Sequence, residues 1–336
     1  MSLPPTPEYS LEFRVVSEDM PGPVIAALCA QSWDAYRSWI LRRGPGGPTH
    51  QECIQALREH MPELMPVYEQ VLSVIGPDDL LARFLTLYSP TPIVRGCSQL
   101  VFEDQEGPVL VRNYDHAPSL CDGVVLATRW GGVGVHVMTD CLWGALDGVN
   151  EHGLVVALAF GGEKAVGPGF AASLVVRYLL QTCKTVSEAK RALTRLPVYM
   201  SYSFTMLDRA GDRCTAYVSP RRAAEFVDEA IATNHQRRVR WPEYAKFAGS
   251  LERRAALDTV AKSKPSYAEV IESFMSPPLF RDAYGRGSGT LYTAAYDPSS
   301  MAIDLFWSRR RFTVEPWKTP AQSILVGYHT PPTFSS

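Results

Sequence analysis

No Cys-x-x-Cys pair occurs in the chain, although seven cysteines do. Cys29, Cys53, Cys97, Cys121, Cys141, Cys183 and Cys214 are odd in number and widely spread, which removes support for a disulfide framework or structural zinc. The seven histidines show no metal-ligand spacing, so no metal is expected. No run approaches the eighteen or so apolar residues that a membrane helix needs. The stretch Met1–Met20 carries acids and prolines where a signal peptide would have an apolar core. These gaps lead us to expect a soluble cytoplasmic protein with no membrane partner. Excess charge is missing too. With 33 Lys plus Arg against 35 Asp plus Glu, the net charge of −2 supplies no field to hold a polyanion, and nucleic acid is not an expected partner. There is no internal repeat and no low-complexity tract. What remains is 336 residues, 46% of them hydrophobic, enough for a sizeable core in one large domain or two ordinary ones.

Residues 22 to about 90 read as helical. Thr49 and Glu52 form a capping box, and Ile54, Leu57, Met61, Leu64, Tyr68, Val71 and Ile75 follow at three- and four-residue steps. Pro62 and Pro66 interrupt this stripe, predicting two helices that meet near Met61, and Gly76 and Pro77 stop the second. Near residue 97 the period changes to two. Ser98–Glu103 and Pro108–Asn113 read as a hairpin around a four-residue turn, Asp104–Gly107. Strand-like runs follow at 122–129, 133–138, 142–149 and 154–160, then helix over 169–195, reopened by Thr185 and Glu188. Strands at 202–208 and 213–218, helices near 243–262 and 267–275, and strands at 291–296 and 302–307 complete the pattern. Strands and helices come in blocks and do not alternate, which predicts an α+β fold of helices layered on antiparallel sheets.

The handover at 96/97 carries the most chemical information. Gly96-Cys97-Ser98 opens the first strand of the hairpin, and the second strand ends in Arg112-Asn113-Tyr114-Asp115, so pairing returns an arginine and an aspartate to the cysteine. Taken alone, Cys97 also fits an inert core cysteine, and Arg112 with Asp115 a surface ion pair worth under about 1 kcal/mol. Asn234 alone fits a turn asparagine, and Asp147 to Leu154 (DGVNEHGL) a strand-turn-strand of structural use. The glycine runs at 131–134 and 285–289 lack phosphate-loop spacing and read as turns. Arginine groups at 221–222, 237–240, 253–254 and 309–311 read as solvated faces, with a grip on coenzyme A phosphates as the alternative.

Together, Gly96-Cys97-Ser98, Val111 to Asp115, Asp147 to Leu154 and Ala232-Thr233-Asn234-His235 resemble the N-terminal-nucleophile hydrolases, and within them the acyl-coenzyme A:isopenicillin N acyltransferase family, a relative of the choloylglycine hydrolases. Upstream, Pro62-Glu63-Leu64 and Asp78 to Leu81 are similar to the region preceding the nucleophile in the acyltransferase branch. The resemblance implies a four-layer αββα sandwich preceded by a helical N-terminal segment. It implies a precursor that cuts itself between Gly96 and Cys97 into pieces of 96 and 240 residues, 1–96 and a catalytic domain 97–336, which stay associated.

In that reading Cys97 is the nucleophile and its new α-amino group the base. Arg112 favours the thiolate, Asp115 orients the ammonium, and Asn234 donates to the oxyanion. Gly96 is the residue that tolerates a strained, positive-φ peptide at the cut. Phe160 stands where the bile salt hydrolase branch has a polar oxyanion residue, so a backbone amide near Phe160 or Gly161 is the substitute considered. His235 is expected to shape the pocket or to lie outside it. A late arginine of that branch has a candidate in Arg286, whose register is not fixed. The expected activity is hydrolysis or exchange of an acyl group on a small amide through a Cys97 thioester. No cofactor is required. Acyl-coenzyme A as donor, and an uncut binding protein without activity, are the alternatives; a homo-oligomer is left open.

Overall fold

Leu11, Phe13 and Val15 alternate with polar neighbours, and the segment around them forms a strand that a helical reading of residues 1–96 omits. In this computed structural model, which describes residues 8–42, 47–76, 78–307 and 310–329, the strands in chain order are β1 (Tyr9–Glu18), β2 (Gly96–Asp104), β3 (Gly107–His116), β4 (Val124–Thr128), β5 (Val135–Asp140), β6 (Gly144–Asn150), β7 (Val155–Phe160), β8 (Tyr202–Leu207), β9 (Arg213–Ser219), β10 (Arg222–Val227), β11 (Ile231–Ala232), β12 (Asp282–Ala283), β13 (Ser288–Tyr296), β14 (Ile303–Trp307), β15 (Arg310–Val314) and β16 (Gln322–Tyr328). The helices are α1 (Pro23–Leu41), α2 (His50–His60), α3 (Met65–Ile75), α4 (Asp79–Leu85), α5 (Ala172–Thr182), α6 (Val186–Arg195), α7 (Pro242–Phe247), α8 (Ser250–Lys262) and α9 (Tyr267–Phe274). Pro77 and Arg309, and Met1 to Pro7 of the leading stretch, lie outside the described residues.

One sheet has nine strands in the order β10-β9-β8-β7-β6-β5-β4-β1-β16; the other runs β11-β2-β3-β13-β14-β15, with β12 beside β13. Strands β2 and β3 face β7 and β8 across the interior. Helices α5 and α6 cover the outer face of the nine-stranded sheet, and α8 and α9 that of the other. The outcome is the anticipated four-layer αββα sandwich. Strand β1 is parallel to β4 and antiparallel to β16, so the N-terminal segment is tied into the large sheet by backbone hydrogen bonds on both of its edges.

Local signals explain most boundaries. The capping boxes at Thr49/Glu52 and Ser266/Glu269 are both formed, whereas at Thr185 the Glu188 carboxylate accepts from the amide of Lys184 instead. The proline-interrupted stripe breaks as expected, with a 3-10 turn at Pro62–Leu64 between α2 and α3. The first hairpin is tighter than expected. Asp104 pairs with Gly107, leaving Gln105 and Glu106 as a two-residue turn, and Gly107 at φ +121° is the residue that permits it.

Candidate active site

Strand pairing builds the site from one short register: Gly96 opposite Asp115, Cys97 opposite Tyr114, Ser98 opposite Asn113 and Gln99 opposite Arg112. Because side chains alternate along a strand, Arg112 and Tyr114 point with Cys97 into the space between the sheets, while Asn113 and Asp115 face α8 and α9. Partners confirm both directions. Arg112 reaches Asp147 on β6, and Asn113 donates to the carbonyl of Phe274 at the end of α9 (2.7 Å). Arg112 and Asp115 are therefore no mutual ion pair; they flank the cysteine from opposite faces.

Cys97 is fully buried, and Arg112 Nη2 donates to its Sγ at 3.1 Å. The guanidinium lies beside the stacked rings of Tyr114 and Tyr292, 5.1 and 5.7 Å from their centroids. Its other end is paired with Asp147, which also accepts from the hydroxyls of Tyr292 (2.7 Å) and Tyr296. The DGVNEHGL segment thus has two halves. Asn150 is structural, as its sequence suggests, donating to the carbonyls of Leu180 and Cys183 and accepting from the amides of His152 and Leu154. Asp147 is not merely structural, since it fixes the arginine that touches the thiol.

On the other face Asp115 accepts from Thr290 Oγ1 (2.8 Å) and from Arg253 Nη1 (3.3 Å). Arg253 is the residue that sequence reading misplaces. Grouped with Arg254 as a solvated pair, it is 1% exposed and donates to the Cys97 carbonyl, to Ser98 Oγ (2.8 Å) and to Asn234 Oδ1 (2.5 Å). Arg286, the candidate for a late arginine, is exposed in a 3-10 turn and makes none of these contacts. Asn234 brackets Gly96: its Oδ1 accepts from the Cys97 amide (3.0 Å), and its Nδ2 donates to the carbonyl of Arg95, one peptide before the expected cut (2.9 Å), and to that of Phe160 (3.3 Å). Tyr244 Oη also donates to the Arg95 carbonyl, at 2.8 Å.

Gly96 needs clearance, not conformational freedom. Its φ is not positive, contrary to the expectation of a strained peptide, but a Cβ there would stand 2.8 Å from Asp115 Cβ and 2.9 Å from Asp115 Oδ2. The Gly161 amide is already bonded to the Ser201 carbonyl (2.8 Å), which removes it as an oxyanion donor, and Phe160 contributes only its carbonyl to Asn234. His235 turns away towards Thr233 and Ser250, at 3.2 and 2.7 Å from their hydroxyls. In each surface arginine group read as a grip for coenzyme A, at least one arginine is engaged with this chain's own acids: Arg222 with Glu163, Arg237 with Glu225, Arg254 with Glu229 and Asp258, and Arg311 with Asp304.

Residues 102–311 match the family model for acyl-coenzyme A:6-aminopenicillanic acid acyl-transferase. The chain belongs to that family. Solved structures similar to it include penicillin V acylase from Agrobacterium tumefaciens (15% identity, TM-score 0.45, 66% of this chain and 87% of that one). Others are a Clostridium perfringens conjugated bile acid hydrolase (12%, TM-score 0.44, 70% and 97%) and a Caenorhabditis elegans ortholog of N-acylethanolamine-hydrolyzing acid amidase (16%, TM-score 0.44, 60% and 93%). No curated protein matches the chain in sequence. Among the described residues no helix is long and apolar enough to cross a membrane, and no group of His, Cys, Asp and Glu forms a metal site.

Proposed function

We propose that this acyltransferase-family chain is a cysteine N-terminal-nucleophile enzyme that cuts itself between Gly96 and Cys97 and then cleaves or exchanges acyl groups on small amides through a Cys97 thioester. The observation that carries this reading is the convergence of Arg112 and Asp115 from β3, Asn234 from the loop after β11 and Arg253 from α8 around the Gly96–Cys97 peptide and its thiol. In maturation the Cys97 sulfur attacks the Gly96 carbonyl carbon, the C–N bond breaks, and the thiol proton ends on the departing nitrogen. That shift frees the Cys97 amine, and water then hydrolyses the thioester to a Gly96 carboxylate and the regenerated Cys97 thiol. In turnover that amine, with a pKa of about 7.7 to 8.0 in model compounds, takes the thiol proton as a substrate carbonyl is attacked. Arg112 stabilises negative sulfur. Asn234 Oδ1 already accepts from the nitrogen that becomes the ammonium, and Asp115 packs against the neighbouring Gly96.

The supporting scaffold keeps the pieces together. Strand β1 lies hydrogen-bonded between β4 and β16, both of which belong to the 97–336 fragment, so the cut pieces are expected to co-purify without denaturant.

Two rate predictions follow from the geometry. Burial pushes the Cys97 thiol up in the uncut chain and outweighs the nearby charge of Arg112, with Asp115 acting in the same direction as burial and Arg253 and Arg95 opposing it. The thiolate fraction therefore keeps growing past the ordinary thiol value of about 8.5, and self-cleavage should accelerate with pH through and beyond that point. A rate that levels off below pH 8 would contradict a buried, proton-retaining thiol. In the proposed turnover the Asn234 Nδ2, which in the uncut chain donates to the Arg95 carbonyl, serves the oxyanion; Asn234→Ala removes that donor, and a loss of about 2.7 to 4 kcal/mol of barrier lowering corresponds to roughly 10²–10³ in kcat. Unchanged kcat would take Asn234 out of the oxyanion role.

The deciding assay compares simple acyl amides with acyl-coenzyme A as donors, and reads the acyl adduct on the fragment beginning at Cys97 by mass. Amide turnover with an adduct on that fragment supports the reading. Turnover confined to coenzyme A thioesters shifts it to a thioester-dependent N-acyltransferase, and no adduct with any donor leaves an uncut binding protein.

A further inference from the structure

Next to the site, around Arg95, the interior is closed by the chain itself. A cavity of only about 30 Å³, lined among others by Arg95, Asp140, Leu158, Phe160, Met200 and Tyr202, is roofed by the segment that leads to the expected cut, including Pro90, Thr91 and Ile93. That volume holds a water molecule or two and no substrate. What fills the place is Arg95. Its guanidinium forms a two-pronged ion pair with Asp140, at 2.9 and 2.8 Å, and lies near enough to Cys97 to favour its thiolate.

Asp140 is 3% exposed and held by unusual backbone. It ends β5 immediately before Cys141 and Leu142, which have φ of +55° and +71°, a region that residues with a Cβ rarely adopt. This turn is braced from outside: the Cys141 amide donates to Tyr36 Oη (2.9 Å), which in turn donates to Asp122 (2.5 Å), and Asp122 also accepts from the Leu142 amide (3.3 Å). Asp122 is itself raised to about 6, first by burial and then by the charge of Asp140. Arg95 stands one residue before the expected cut, so in the proposed maturation the new chain end at Gly96 is free to move even while the rest of the segment stays bound, and Asp140 without Arg95 would be an uncompensated buried charge.

We propose that, in the mature enzyme, Asp140 is a specificity-determining residue that receives a cationic group, guanidinium or primary ammonium, carried on the acyl half of the amide substrate. The inference rests on the self-cleaving thiol-amidase reading above. In that reading the chain is its own first substrate, and the acyl half it delivers to Cys97 ends in Arg95-Gly96. Arg95 then marks where a cation of a later substrate sits: one residue's length upstream of the carbonyl under attack, paired with Asp140, over the apolar wall of Phe160 and Tyr202.

The test uses the full chain after self-cleavage, checked by intact mass. N-acetyl-arginyl-glycyl p-nitroanilide is compared with its citrulline counterpart, which keeps the shape of the side chain and replaces guanidinium by neutral urea. A neutral acyl anilide is run in parallel. The expected result is at least about a tenfold preference in kcat/KM for the arginyl substrate, collapsing towards equality in Asp140→Asn. Agmatine should also inhibit turnover of the neutral anilide competitively in the wild type, a readout that needs no variant. Turnover of the neutral anilide with no arginine preference and no agmatine inhibition overturns the cation subsite while leaving the amidase reading intact. Failure on all three anilides removes both.

Discussion

Cys97→Ala leaves the chain in one piece and abolishes turnover of acyl amides. In the proposed mechanism the two losses have one cause, since the same sulfur attacks the Gly96 carbonyl once and substrate carbonyls thereafter. Deleting a nucleophile typically costs on the order of 10⁶-fold in kcat, so turnover should fall to assay background. The substitution is small and Cys97 is packed among apolar neighbours, so folding should survive it, which separates a chemical loss from a structural one. An alanine variant that still cuts itself at 96/97, or still hydrolyses an amide, would assign the chemistry to another group.

Arg112→Met produces the second large effect, and it splits into two parts. The first is reactivity. Without the guanidinium at 3.1 Å from Sγ, burial of the thiol is opposed only by the more peripheral Arg253 and Arg95, so self-cleavage should slow and shift to still higher pH. The second is stability. Asp147 is fully buried, and breaking a buried ion pair by removing one partner costs about 3–5 kcal/mol. Arg112→Met/Asp147→Leu, which removes both charges, should recover much of that stability without recovering cleavage. Thermal melts and a cleavage time course on the three proteins read the two parts separately. Wild-type cleavage in either variant would show that Arg112 does not act on the thiol.

Sequence reasoning reaches this site unevenly. Cys97, Arg112 and Asp115 are legible because a single hairpin returns them to one another, and local pairing is what residue alternation encodes. Arg253 arrives from α8, about 140 residues beyond Asp115, and its neighbour Arg254 makes the pair look like an exposed charged face. A signal is nevertheless present: Ser250, Arg253 and Leu257 lie at three- and four-residue steps and are the buried residues of α8, placing an arginine on a helix's inward stripe. Asp147 is hidden for the opposite reason. Its turn-like motif gives it a sufficient structural explanation, while Tyr292 and Tyr296, which hold it, come from β13.

The fold shows the same division. Strands β4 to β8 are buried on both faces, and β4 and β7 in particular read as near-continuous apolar runs, a pattern that the sequence displays. The outermost strands β10, β15 and β16 carry arginine, glutamine and serine on their open faces and lack that contrast. Strand β1 does alternate, but its parallel partner β4 lies over a hundred residues away, and no local turn announces it.

The intact mass of the purified wild-type chain, read with the first residue of each fragment, tests the account most directly. It predicts two species that co-purify and separate only on denaturation, one of them beginning with an unblocked Cys97. A single uncut polypeptide that turns over acyl amides at full rate would contradict it.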